Sequence, residues 1–143
     1  MEIRIDCYYG VLKKYHRKYP KAHFELIMRK DFNHILSPSW SLVKRYEKGR
    51  DWEQYKIDFL KEIYSQPEAI AKLVELKNIA KEKLLFLICF EKSYIQCHRR
   101  IVKWLMEHIK DNSLPLLDEV LEYMKTDLKG TVGVDGFLTK RVG

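Results

Sequence analysis

Three stretches of the chain have the hydrophobic patterns of β-strands. Residues 3–9 alternate apolar and polar positions and end at Gly10. Residues 23–28 resemble a second short strand, and the pattern after them predicts a loop over 29–36. Residues 84–90 form a continuous apolar run, which is typical of a central parallel strand covered on both faces. We therefore expect strands 3–9 and 84–90 to be parallel neighbours.

Five further segments repeat their apolar positions with the period of an α-helix. The first begins with a capping Ser37 followed by Pro38 and ends at Gly49. The next begins at Asp51, which with Gln54 resembles a capping box. No helix is expected in the basic segment around 11–22, because Pro20 interrupts it. The predicted helices cover 38–48, 51–65, 67–81, 97–110 and 115–128.

Strands that alternate with helices indicate an α/β fold. We expect a small three-layer structure with a mostly parallel sheet of three to four strands and five helices, Rossmann-like or flavodoxin-like. Residues 1–128 are expected to form a single domain. Residues 129–143 are expected to be a C-terminal tail, in which Asp135 and Gly136 carry the signal of a short hairpin.

The positive charge of the chain is concentrated in its first third. The chain has 143 residues and a formal net charge of +7. Residues 1–50 contain 12 Lys and Arg against 5 Asp and Glu, and the rest contains 15 of each. A local positive field favours anionic partners, although a solvated basic surface would have the same composition.

Composition also limits compartment and cofactor. With 46% hydrophobic and 33% charged residues, disordered and collagen-like classes are excluded. The longest apolar run is too short to span a bilayer, and residues 1–6 lack a signal-peptide core, so we expect a cytoplasmic protein that does not interact with membranes. Three cysteines without a CxxC or HExxH motif argue against a disulfide framework and against a metal site. No cofactor is expected.

An anion site is expected where strand 84–90 leads into helix 97–110. Ligands of open parallel sheets bind beyond the carboxyl ends of the strands, and a helix N-terminus offers free N–H groups to an anion. The geometry therefore predicts a pocket for a phosphate-bearing or nucleotide-like ligand, with or without catalysis. The expected anion-binding residues are Arg99, Arg100, Lys92 and Arg29. Helical spacing places Arg99 on the outer side of its helix.

Three residues at this junction are candidates for catalysis. A Cys97 thiolate at the helix start would be stabilised by the helix dipole, which makes it a candidate nucleophile. His98 is a candidate general base, and Glu91 a candidate acid or base. Each has an ordinary alternative: a packed thiol, a core histidine bonded to the backbone, and a loop carboxylate that accepts N–H bonds. No Cys-x5-Arg phosphatase loop accompanies them.

The basic segment over residues 8–21 offers a different function. It interleaves tyrosines with lysines and arginines, and single-stranded nucleic acids stack their bases on aromatic rings while their phosphates pair with cations. The alternative is therefore a nucleic-acid-associated binding module. Its expected contacts are Lys13, Lys14, Arg17, Lys18 and Tyr15.

Two blocks of sequence resemble a known family. Residues 36–49 with 51–55 are similar to the pattern L-x-P-S-x-x-L-x-x-x-Y-K-x-G followed by W-x-x-Y, and residues 86–92 with 97–99 are similar to L-L-C-x-E-K followed by C-H-R. Both patterns are those of the domain-of-unknown-function 488 family. The resemblance covers roughly residues 1–110 and implies a small α/β fold with the C-H-R turn at the carboxyl edge of the sheet. It implies no substrate.

A third hypothesis is a protein-interaction domain in which the C-H-R cluster is purely structural. The anion-pocket hypothesis predicts that charged groups converge in a concave pocket at Arg99. The nucleic-acid hypothesis predicts a basic stripe across an open face. The interaction hypothesis predicts a buried, hydrogen-bonded His98 and no cavity. The sequence alone leaves these three open.

Overall fold

A computed structural model of the chain describes residues 1–28 and 34–127, the last two without their side chains. Within these residues the strands are β1 (Ile3–Arg4), β2 (His23–Leu26) and β3 (Leu85–Ile88). The helices are α1 (Leu12–Lys18), α2 (Trp40–Gly49), α3 (Trp52–Tyr64), α4 (Pro67–Glu82), α5 (His98–His108) and α6 (Leu117–Asp127). A short 3-10 turn, Tyr9–Val11, precedes α1. The expected Arg29 site and the C-terminal hairpin lie outside the described residues.

The sheet is parallel throughout its described strands. Its order is β1-β3-β2, and Ile3 and His23 both pair with Leu85 from opposite sides. A further parallel bridge joins Tyr8 to Cys89 beyond the strand ends. The expectation that the first and third predicted strands are parallel neighbours is therefore confirmed, and their carboxyl ends meet at one edge.

Helices cover both faces of this sheet. The side chains of β3 alternate, so that Leu85 and Leu87 join the larger core while Phe86 and Ile88 join the smaller one. The larger core also contains the apolar sides of α3, α4 and α5, whereas the smaller one is covered by Leu12 and Tyr15 of α1. The α/β class and the layered arrangement are confirmed. Doubly wound sheets place their first strand inside the sheet, whereas β3 is central here, so the finer likeness to Rossmann or flavodoxin folds is not confirmed.

Two predictions at the N-terminal end are wrong. The first strand is shorter than 3–9, and the basic segment that was expected to lack a helix contains α1, which makes six helices in the described part of the chain. Pro20 does not prevent the helix, because α1 ends before it, where the Tyr19 N–H donates to the Tyr15 carbonyl. A proline excludes the helical conformation of the residue before it and leaves earlier turns intact.

The start of α2 also differs from its prediction. Ser39, rather than Ser37, is the N-cap, and its hydroxyl accepts the Leu42 N–H. The hydroxyl of Ser37 instead donates to the carbonyls of Ile27 and Met28, which holds the helix start to the end of β2. The predicted cap of α3 is confirmed, since the Asp51 carboxylate accepts the Gln54 N–H at 3.1 Å.

Among the described helices, none combines the length and the apolar character that crossing a membrane requires.

Candidate functional site

A pocket lies at the carboxyl edge of the sheet, between α2, α3 and the segment that joins β3 to α5. Its volume is about 350 Å³. Cys89, Glu91 and His98 reach it from the sheet side, and the opposite wall comes mainly from α2. The remaining lining residues are Met28, Pro38, Trp40, Val43, Tyr46, Glu47, Arg50, Tyr55, Phe90 and Gln96. The cavity lies at the junction where the anion site is expected, and the binding of an anion there stays a prediction.

Two cysteines and a histidine meet at the floor of the pocket. The ligand atoms of Cys89, Cys97 and His98 all lie within 4.8 Å of one another. Cys89 follows β3 and lines the pocket with 5% of its surface exposed, whereas Cys97 is buried behind it at the N-cap of α5. The thiol that a ligand can reach is therefore that of Cys89, not that of the predicted nucleophile Cys97.

The two thiols have opposite pKa shifts. A hydrogen bond from the Cys97 thiol, a backbone N–H bond from Glu91 and the charge of Arg99 lower the pKa of Cys89 to about 7. Burial, followed by the neighbouring Cys89, raises the pKa of Cys97 to about 11. The Cys89 thiol, which faces the pocket, therefore loses its proton at lower pH than the Cys97 thiol behind it.

His98 turns inward, as its helical spacing predicts. Its Nε2 lies 2.8 Å from the carbonyl oxygen of Ile27, which can only accept, so Nε2 carries the proton. Nδ1 then carries no proton and lies 3.8 Å from the Cys97 sulfur. His98 is therefore buried and hydrogen-bonded, as the interaction-domain hypothesis predicts, yet it also lines a cavity, which that hypothesis excludes.

Glu91 lines the same pocket, although the residue as a whole is accessible to solvent. Desolvation of its carboxyl among the pocket walls, followed by the neighbouring Cys97 side chain, raises its pKa to about 7. The positive charge of Arg99 opposes this shift. A carboxyl that titrates near neutral pH can both give and take a proton under physiological conditions.

Arg99 does not lie where its helical spacing predicts. The residue is 0% exposed, and the expectation of an outer position is wrong. Nη1 donates to the carbonyls of Ile5 and Cys7, and Nη2 to those of Glu91 and Ser93. Nε donates to the Cys97 sulfur at 3.3 Å. All five N–H groups of the guanidinium are thus used inside the protein, because the first turn of α5 packs beneath the loop 91–96 and the end of β1.

Of the other expected anion-binding residues, the two that the structure describes, Arg100 and Lys92, do not line the pocket. Arg100 is buried, and its Nη1 donates to the Ile95 carbonyl at 2.6 Å. Lys92 is exposed but is not among the lining residues. Among the described residues, the Lys or Arg that lines the pocket is Arg50, which follows α2 and whose Cζ lies 5.2 Å from the centre of the Tyr46 ring.

Sequence reasoning missed Arg50 and Cys89 as pocket residues. Gly49 was expected to end α2, but it is the last helical residue, and Arg50 takes the left-handed conformation with φ 52°. Nothing in the local sequence marks Arg50 for this position. Cys89 did carry a signal, because it stands at the carboxyl end of the buried strand, where ligands of parallel sheets bind.

The cluster of thiols and imidazole is also the group of described residues whose spacing suits a metal ion. The guanidinium of Arg99, however, is bonded to the Cys97 sulfur and places a permanent positive charge beside the trio. That charge disfavours a cation there and favours a thiolate.

The basic segment presents its cations to solvent. Lys13, Lys14, Arg17 and Lys18 are all exposed on α1. Tyr15 is not available for stacking, because its ring packs on Phe86 and its hydroxyl donates to Asp6. If a nucleic acid binds here, its bases must therefore stack on aromatic residues other than Tyr15.

The comparisons with known proteins place the chain in a family. No curated protein and no solved structure matches it. The family model DUF488-N3a, described as the active DUF488-N3 subclade, matches residues 9–110, which include α1, the pocket residues and the whole of α5. This range covers more than half of the chain, and the chain therefore belongs to the DUF488-N3a family.

Proposed function

We propose that this protein is a cytoplasmic enzyme whose pocket binds a nucleotide-like anionic ligand and attacks it with the Cys89 thiolate. The observation that carries the proposal is the position of Cys89, which reaches the cavity from the end of β3 with the Cys97 thiol behind it and Glu91 beside it. The description of the subclade as active supports a catalytic use of the site. Three free cysteines agree with a reducing compartment.

The walls of the pocket support a ligand that combines a flat ring with a negative charge. Trp40, Tyr46 and Phe90 offer aromatic surfaces on which a base can stack. Arg50 supplies a positive charge at the rim, where a phosphate would lie away from the thiolate. Protonation of Glu91 near neutral pH reduces the repulsion that a second anion in the pocket would meet.

The chemistry that this arrangement supports is hydrolytic group transfer. The Cys89 sulfur forms a bond to an electrophilic carbon of the ligand while the bond to the leaving group breaks, and the leaving group takes the Glu91 proton. The Glu91 carboxylate then removes a proton from water as the water oxygen attacks the same carbon. Cys89 leaves as a thiolate and Glu91 is protonated again, so that one water is consumed and both groups are restored.

Alkylation of the native protein with iodoacetamide tests the nucleophile. Mass spectrometry of the folded chain should find Cys89 modified first, with a rate that rises through an apparent pKa near 7. Cys7 and Cys97 are buried and should react only after unfolding. Cys7→Ser is the matched control and should leave the rate unchanged. A Cys89 that reacts no faster than Cys97 in the folded protein would overturn the assignment.

Protection by adenosine 5′-monophosphate tests the ligand class, because this probe joins a ring to a phosphate. It should slow the alkylation of Cys89 more than adenosine or inorganic phosphate does. Arg50→Ala should remove most of the advantage over adenosine. Lys48→Ala should not, because Lys48 is an exposed cation in the last turn of α2 and does not line the pocket. Equal protection by all three probes, or none by any, would contradict the nucleotide-like ligand.

A further inference from the structure

The aromatic side chains that remain exposed are concentrated around the pocket. Among the described residues, the large hydrophobic side chains with high exposure include three aromatics: Tyr9 at 45%, Trp40 at 47% and Phe90 at 39%. Trp40 and Phe90 line the pocket, and the Tyr9 ring packs edge-on against Phe90 with 5.3 Å between ring centres. These three residues, here called the aromatic rim, give the pocket a mouth suited to stacking.

Two residues of the aromatic rim, Tyr9 and Phe90, are fixed to the same strand end as the Cys89 thiol. Tyr8 pairs with Cys89 in a parallel bridge, and the Tyr9 N–H donates to the Cys89 carbonyl at 2.8 Å. The next residue is Gly10, and a side chain at this position would place its Cβ only 2.8 Å from the Tyr8 ring. The short 3-10 turn Tyr9–Val11 then leads into α1, so Tyr9 of the aromatic rim is three residues before the basic helix.

The exposed side of α1 has a single sign of charge. Lys13, Lys14, Arg17 and Lys18 are exposed, and residues 9–22 contain no Asp or Glu. At a rise of 1.5 Å per residue, these cations extend over about 8 Å of helix, beginning about one turn beyond Tyr9. That length exceeds the spacing between neighbouring phosphates along a strand.

We propose that the ligand of the pocket is one nucleotide of a single-stranded nucleic acid. The inference rests on the proposed function and extends it. The reacting base enters the pocket, bases next to it stack on the aromatic rim, and the adjoining phosphates lie along the cations of α1. Neither base stacking nor the pairing of phosphates with cations depends on which base is present. We therefore expect such a site to bind single strands of many sequences.

An anionic membrane surface is the competing partner for a basic helix. Binding to such a surface requires an exposed apolar face on the helix, which α1 lacks. Leu12, Tyr15 and Tyr19 pack against the smaller core, so the apolar side of α1 is covered by the sheet. A membrane that attracts the cations of α1 without insertion of the helix would leave the aromatic rim without a role. A single-stranded nucleic acid would use both the cations and the aromatic rim.

Fluorescence anisotropy with short fluorescein-labelled single strands of DNA and RNA tests the proposal. Changing Lys13, Lys14, Arg17 and Lys18 to Ala should weaken binding by at least about tenfold and reduce the slope of log K against log salt by up to about 3, since each lost phosphate contact in a single strand accounts for about 0.7. The matched control removes the same charge elsewhere, by changing the exposed Lys61, Lys81, Lys83 and Lys110 to Ala. It should retain most of the affinity.

The alkylation of Cys89 connects the strand to the pocket. The single strands should protect Cys89 at lower concentration than adenosine 5′-monophosphate does, and Tyr9→Ala should remove most of that advantage. If the mononucleotide protects Cys89 but the strands bind no better, the polynucleotide inference fails and the proposed function stands. If the strands bind without protecting Cys89, or only anionic phosphatidylserine vesicles bind through α1, the inference is also overturned. If the mononucleotide and the strands both leave Cys89 unprotected, the proposed function itself fails.

Discussion

At the scale of single residues, Arg99 is expected to be essential to stability rather than to binding. Its removal would leave four carbonyls, two of them those of the buried residues Ile5 and Cys7, and the buried Cys97 sulfur without their donor. We expect Arg99→Ala to lower the free energy of unfolding in urea by at least about 3 kcal/mol. Arg17→Ala, at an exposed position, should change it by no more than about 0.5 kcal/mol. Similar urea midpoints for the two variants would contradict this role.

Glu91 should make the stability of the fold depend on pH. Its pKa is raised from 4.5 to about 7 in the folded chain, so the folded state holds a proton that the unfolded state has lost between these values. The stability contribution of this group is therefore full below pH 4.5 and lost as pH rises to about 7. The urea midpoint of Glu91→Gln, measured relative to the parent, should rise over this interval. A constant difference between the two proteins would show that the carboxyl is not desolvated when folded.

Residue identity was easier to predict than residue orientation. The sequence indicated which side chains cluster at the junction, because the cluster follows from the ends of two elements. It misplaced Arg99, since helical spacing tells which side of a helix a residue occupies but not what packs against the first turn. Loop 91–96 covers that turn and supplies two of the carbonyls that bind the guanidinium.

At the scale of elements, the start of α2 depends on one serine. The Ser39 hydroxyl accepts the Leu42 N–H and also contacts the Glu62 carboxylate of α3. We expect Ser39→Ala to cost about 1–2 kcal/mol in urea unfolding, in the range of other lost N-caps. Ser41→Ala, at an exposed position inside α2, is the control and should cost less than 0.5 kcal/mol, roughly the limit for surface changes. If both serines matter equally, Ser39 is not the cap.

Elements with strong local signals were predicted, and those decided by distant contacts were not. Asp51 caps α3 as its spacing with Gln54 indicates, because the interaction lies within one turn. The first strand was overextended because residues beyond Arg4 keep the alternating pattern but have few strand partners to pair with. Helix α1 was missed because its short apolar side is stabilised by packing against Phe86, a residue far along the chain.

At the scale of the whole molecule, α6 lies outside the matched family range and yet completes the core. Val120 and Met124 are buried in the larger core. The Met124 carbonyl accepts a hydrogen bond from the ammonium of Lys56, a buried residue of α3. The neighbouring residue Tyr55 lines the pocket. Helix α3 thus lies between α6, which completes the core, and the pocket.

This separation predicts that stability and site function can be changed independently. Met124→Ala should lower the free energy of unfolding by about 2–5 kcal/mol, because it leaves a cavity between α3 and α6. Leu116→Ala, at a position with high exposure, should have little effect. Under conditions where both variants are folded, adenosine 5′-monophosphate should slow the alkylation of Cys89 as it does in the parent, since Tyr55 keeps its backbone position on α3. Loss of protection in folded Met124→Ala would mean that the packing of α6 shapes the pocket through α3, and that the two regions act as one unit.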